Sequence, residues 1–123
     1  MPDNPLNTDF DLSFLYEIAD GSDEFIVESI DMFSLQTPQL MQEIEQGIAD
    51  RNWQVAGAAA HKLKPNMGFF GMLTLQSSMQ QIEAMCKSGS PDQSVLLQKF
   101  ADAKVIVDSN LIKLAEIKNE KQG

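Results

Sequence analysis

Between Trp53 and Phe70 the apolar residues Trp53, Ala56, Ala60, Leu63, Met67 and Phe70 recur at intervals of three, four, three, four and three. That spacing gathers six side chains on one stripe of an α-helix and leaves the opposite side polar. Three further segments repeat the arrangement. Ile26, Ile30, Phe33, Leu40, Ile44 and Ile48 mark one over residues 23–50. Met72, Leu75, Met79, Ile82 and Cys86 mark the next, and Leu96, Phe100, Ala103, Val107, Leu111 and Leu114 the last. No stretch alternates with period two over a useful length, which removes the signature of a half-buried strand. Four dry stripes joined by short connections bury themselves most simply against one another. The expected fold is therefore all-α, an antiparallel four-helix bundle with a short extra N-terminal helix over residues 10–19.

Punctuation between the stripes supports this order. Asp20-Gly21-Ser22 ends the short helix, and Ser22 is suited to cap the next one. Thr8, Asp9 or Asp11 is the expected cap of the short helix itself. Pro38 lies within the second pattern, where it removes one backbone donor and predicts a kink. Asn52 is placed to cap the helix from Trp53 to about Gly68, and Gly68-Phe69-Phe70-Gly71 reads as its exit turn. Pro91 suits the first turn of the last helix, which is expected to fray from Lys118. Residues 1–123 read as one domain with frayed ends at 1–8 and 119–123, and the starting Met is expected to be that of a free-standing chain.

Composition excludes much. At 123 residues the chain is too short for a TIM barrel or a Rossmann domain with a second domain. One cysteine, Cys86, forms no internal disulfide and points to a reducing compartment. One histidine, His61, with one cysteine does not make a zinc site, so no metal site is expected. No Walker A or G-x-S-x-G pattern is present. The net charge of −9 is unevenly spread: residues 1–50 hold twelve acids and no base, and residues 51–82 hold Arg51, Lys62 and Lys64 and no acid. A chain this acidic repels phosphate backbones and anionic lipid, so neither nucleic acid nor a membrane is expected as partner. The N-terminus lacks the basic and apolar regions of a signal peptide, and Pro65 to Ile82, the longest uncharged stretch, carries Pro and Gly. The expectation is a cytoplasmic monomer.

The lone histidine is the informative residue. On a helical wheel it lies roughly 130° from the centre of its own helix's apolar stripe, so it should face outward. Along its line fall Gly57, Ala58, Pro65 and Gly68, residues with little side chain where exposed positions usually carry Lys, Glu, Gln or Arg. Two readings fit: a low strip on which another protein docks, or small residues that admit a neighbouring helix. Lys64, three positions on, is a helical neighbour of His61. A cation there opposes a charged imidazole, keeps a ring nitrogen nucleophilic, and can pair with a phosphoryl group. Lys62 lies about 100° round the helix and reaches the site only by bending back, and Asn66 falls off the His61 line.

The run Ala60-His61-Lys62-Leu63-Lys64-Pro65-Asn66, with Gly71 ten residues after the histidine, resembles the histidine-containing phosphotransfer (HPt) domain. That family's pattern is approximately His-x-Leu-Lys-Gly-Ser with a later Gly, and the likeness in helix order extends over nearly the whole chain. It implies that His61 is the phosphoacceptor, taking a phosphoryl group from an aspartyl-phosphate of one receiver domain and giving it to an aspartate of another. Lys64 would be the phosphate-proximal cation, with Lys62 and Asn66 as possible support and Gly57, Ala58, Pro65 and Gly68 as docking positions. The partners implied are receiver domains of response regulators or of hybrid histidine kinases. The chain would need no cofactor of its own, Mg²⁺ being expected on the receiver. Pro65 stands where the family has Gly, and Asn66 where it has a small residue. The alternatives are a non-phosphorylated interaction module binding a receiver or kinase domain, which Pro65 favours, and a receiver phosphatase. The absence of a carboxylate near His61 in the sequence weighs against the phosphatase.

Overall fold

The computed structural model describes residues 10–122 and is built of five helices. These are α1 (Ser13–Ala19), α2 (Asp23–Ala49), α3 (Trp53–Phe69), α4 (Leu73–Lys87) and α5 (Gln93–Gln122). Helices α2 to α5 pack in a ring, each against the next and α5 back against α2, which is the expected four-helix bundle. The short α1 rests on α2. Each apolar stripe turns inward. Ile30, Ile44, Leu63, Met67, Leu75, Ile82 and Leu96 are among the fully buried side chains, each contributing about 2 kcal/mol by leaving water.

Local chemistry sets the helix ends. Ser22 accepts the Phe25 amide at 3.1 Å, and Asn52 accepts the Val55 amide at 3.3 Å, as the capping pattern required. Elsewhere the ends differ from expectation. α1 begins at Ser13, and the Asp11 carboxylate accepts the Ser13 amide at 2.9 Å; Thr8 and Asp9 lie outside the described residues. α2 runs unbroken through Pro38. Gly68 belongs to α3, so the turn is Phe70-Gly71-Met72. Asp92, not Pro91, starts α5: its carboxylate accepts the amides of Ser94 and Val95. α5 does not fray at Lys118 but runs to Gln122. Its last turns are tied to the start of α2 by Lys118–Asp31 at 2.5 Å and Lys121–Asp23 at 3.1 Å. Those four charges are pairwise distant in sequence, which is why a polar tail read as loose.

Gly71 links α1 to the bundle. It adopts φ +67°, and a Cβ there would stand 2.1 Å from the Asp11 carbonyl oxygen. The Asp11 amide in turn donates to the Phe70 carbonyl at 3.3 Å. Only glycine lets the lead-in to α1 lie on this turn. Gly71→Ala is expected to lower unfolding free energy by about 2 kcal/mol or more. Gly21→Ala, at φ +89° in open space, should cost only about 1 kcal/mol. Urea denaturation of both variants against wild type measures the difference.

Candidate functional site

α3 carries His61 on its outer side, as the wheel predicted: the imidazole is 65% exposed. The ring is nonetheless fixed. Its Nδ1 lies 2.9 Å from Oε2 of Glu83, which comes from the middle of α4. Glu83 is only 5% exposed and is the one buried charged residue among those described. Its Oε1 meets Lys64 Nζ at 2.6 Å, and its Oε2 also meets Lys87 Nζ at 2.9 Å. One carboxylate thus serves an imidazole and two ammonium groups drawn from α3 and α4.

A buried carboxyl group would ordinarily be pushed toward its neutral form. Here the Lys64 ammonium is the largest influence and outweighs burial, Lys87 adds to it, and the carboxyl is lowered to about 2. Glu83 is therefore ionised and can only accept. The proton of the neutral ring must then sit on Nδ1 and donate to Glu83, which leaves the Nε2 lone pair directed away from the carboxylate. This is the orienting role that a carboxylate plays behind a catalytic histidine.

The structure sorts the residues singled out from sequence. Ala58 and Pro65 are exposed beside His61, as a low strip requires. Gly57 is buried instead, because α4 approaches there: a Cβ on Gly57 would be 3.1 Å from Cys86 Cβ. Gly68 likewise makes room for Gln76, whose amide donates to the Lys64 carbonyl at 3.1 Å. For these two glycines the packing supports the neighbouring-helix reading. Lys64 stands beside His61, but its ammonium is engaged, donating to Gln80 Oε1 at 2.6 Å as well as pairing with Glu83. Lys62 is exposed on the rim of a cleft next to the ring. Asn66 lines a separate groove with Phe33, Phe69 and Phe70. The absence of a carboxylate near His61 is overturned by Glu83, and Lys87 was also missed. Glu83 lies 22 residues from His61, so local reading does not pair them. A usable signal did exist, since Glu83 falls four residues after Met79 and thus on the flank of the α4 stripe.

Beside the ring runs a cleft of about 510 Å³ between α3 and α4, floored by Trp53, Gly57, Ala58 and Cys86 and edged by His61 and Lys87. Burial pushes the Cys86 thiol up, away from thiolate chemistry. Among the described residues no group of three or more His, Cys, Asp and Glu side chains converges to hold a metal. No described helix is long and apolar enough to cross a membrane.

The bundle thus presents one exposed imidazole, oriented from behind by a buried carboxylate. A family model described as Hpt domain matches residues 28–117, a span that takes in α3, α4 and most of α2 and α5, and the chain belongs to that family. Domains of this family are phosphocarriers of phosphorelays and interact with receiver domains. Compared with curated proteins and with solved structures, the chain has no match in either set.

The Glu83 pairing carries a pH signature. Its carboxyl group is lowered on folding from an ordinary value near 4.5 to about 2. The stability it contributes is fully present above pH 4.5 and is lost as pH falls toward about 2. Glu83→Gln leaves two ammonium groups without their anion and should cost about 2 kcal/mol at pH 7. In thermal melts the gap between the two proteins should be widest above pH 4.5 and close as pH approaches 2. A gap independent of pH would remove the carboxylate from this role.

Proposed function

We propose that this chain is a phosphorelay phosphocarrier in which Nε2 of His61 accepts a phosphoryl group from an aspartyl-phosphate of one receiver domain and donates it to another. The supporting observation is the 2.9 Å bond from Nδ1 to an ionised, buried Glu83 behind a ring that is otherwise open. In the forward step the Nε2 lone pair forms the N–P bond. The P–O bond to the donor aspartate breaks, and its electron pair leaves on that carboxylate. The Nδ1 proton stays in place, so the ring becomes a phosphoimidazolium whose positive charge faces Glu83. In the onward step a carboxylate oxygen of the accepting aspartate forms the new P–O bond, the N–P bond breaks, the pair returns to Nε2, and the ring is neutral again. No proton need be taken up or released in either direction.

What remains is positioning and charge, the main sources of rate in phosphoryl transfer. Lys62, Lys64 and Lys87 set a cationic margin round the ring on an otherwise acidic chain, favourable for meeting an acidic phosphoryl-bearing surface. In this reading the chain is a stoichiometric intermediate with no cofactor of its own. Mg²⁺ belongs to the receiver, where it offsets charge on the phosphoryl oxygens.

Incubation with a receiver domain charged by acetyl phosphate should place an acid-labile, alkali-stable phosphoryl group on wild type and none on His61→Gln. Equal labelling of both would sink the assignment of His61. Binding without any label would favour the interaction module, and inorganic phosphate in place of label would favour the phosphatase. Glu83→Ala frees the ring to turn and to place its proton on either nitrogen, so transfer should slow by about tenfold while labelling stays at His61.

A further inference from the structure

We propose that Lys87, and not Lys64, is the cation that moves onto the phosphoryl group, while Lys64 stays behind as the clamp on Glu83; this rests on the phosphocarrier reading above. The two lysines share the carboxylate but not its surroundings. Lys64 is 22% exposed and is held at 2.6 Å by Glu83 Oε1 and at 2.6 Å by Gln80. It joins α3 to α4, and releasing it strips a nearly buried carboxylate of its closest counter-charge. Lys87 is 72% exposed and pairs with Glu83 Oε2 at 2.9 Å. The Lys87 ammonium is largely in water already, and Lys64 still neutralises the carboxylate when Lys87 leaves, so its release costs less than that of Lys64.

Position agrees with mobility. Lys87 Nζ and His61 Nδ1 contact the same oxygen, Glu83 Oε2, each at 2.9 Å. The ammonium is thus no more than two hydrogen-bond lengths from the ring. Its side chain, at the C-terminal end of α4, lines the cavities on both sides of His61. Charge supplies the direction. Once Nε2 carries phosphorus, the ring is cationic and its Nδ1–H becomes a stronger donor to Oε2. At the same moment a group of about two negative charges stands at the solvent side of the ring. Lys87 then gains more by pairing with phosphoryl oxygen than by sharing Oε2, and its departure leaves Oε2 to the ring. Lys64 on Oε1 keeps Glu83 ionised throughout. No bond forms or breaks beyond those of the transfer itself, and no proton moves.

The test uses phosphoramidate, a small donor that removes the docking of a partner from the comparison. The chain phosphorylated on His61 is titrated by ³¹P NMR. In Lys87→Ala the second ionisation of the phosphoryl group should rise by about half a unit, the effect of one lost surface cation, with labelling about threefold slower. Lys87→Arg should restore both. Lys62→Ala, on the same rim but without a contact to Glu83, and Lys64→Ala, which should lower the melting temperature, should each shift the ionisation less. An unchanged titration in Lys87→Ala, or a shift at least as large in Lys62→Ala or Lys64→Ala, overturns the proposal and leaves His61 as acceptor. Failure of wild type to label, or labelling of His61→Gln, overturns the phosphocarrier reading and this proposal with it.

Discussion

The buried carboxylate of Glu83 is the constraint on which the site depends. A charge taken out of water must be matched at close range or abandon its ionised form. Here the match comes from both helices of the α3–α4 pair, through Lys64 and Lys87, and the His61 ring takes what acceptor capacity is left. The same contact therefore fixes the register of two helices and the tautomer of the functional ring. Because Lys64 is further tied to Gln80, and its carbonyl to Gln76, three successive turns of α4 converge on this one α3 residue beside the histidine. An exposed imidazole is ordinarily a mobile one; this one stays accessible while its orientation is set from behind.

The bundle was legible because its signal is local. Helical periodicity and the Ser22 and Asn52 caps act within a few residues, so stripes over α2, α3, α4 and α5 are visible without knowing what they face. The outward direction of His61 was legible for the same reason. What sequence reading missed depends on a neighbour remote in the chain. Glu83 and Lys87 enter from α4, and the ends of α5 are held by α2 through Lys118–Asp31 and Lys121–Asp23. Charges that pair across a bundle look like solvated charges until the partner helix is placed.

The glycines show how much a line of small residues owes to the neighbouring helix. Gly57 and Gly68 lie within one helical line of His61, and a line of small residues in an exposed position suggests open ground. A helix face is wide, however, and both residues lean toward α4, where Cys86 and Gln76 fill the space. The small residues bring α4 close enough for Glu83 to reach the ring. Their effect on the site is indirect: they set the distance between the two helices that share the carboxylate. Ala58 and Pro65, on the opposite flank of the histidine, are the ones left open to a visitor.

On the phosphocarrier proposal, His61 must release what it takes, unlike a terminal acceptor. A phosphoryl group on a neutral, Nδ1-deprotonated imidazole would leave an imidazolate behind, a poor leaving group. The Nδ1–H held against an anionic Glu83 makes the departing ring a neutral imidazole instead. In the proposed relay, the arrangement that aims Nε2 for attack thus also prepares the N–P bond for cleavage, with no general acid needed to protonate the departing ring. Glu83 is too buried to act on the phosphoryl group itself and is kept ionised by Lys64. Its influence on the chemistry passes entirely through the ring, which suits a site whose remaining transfer machinery would arrive on the partner.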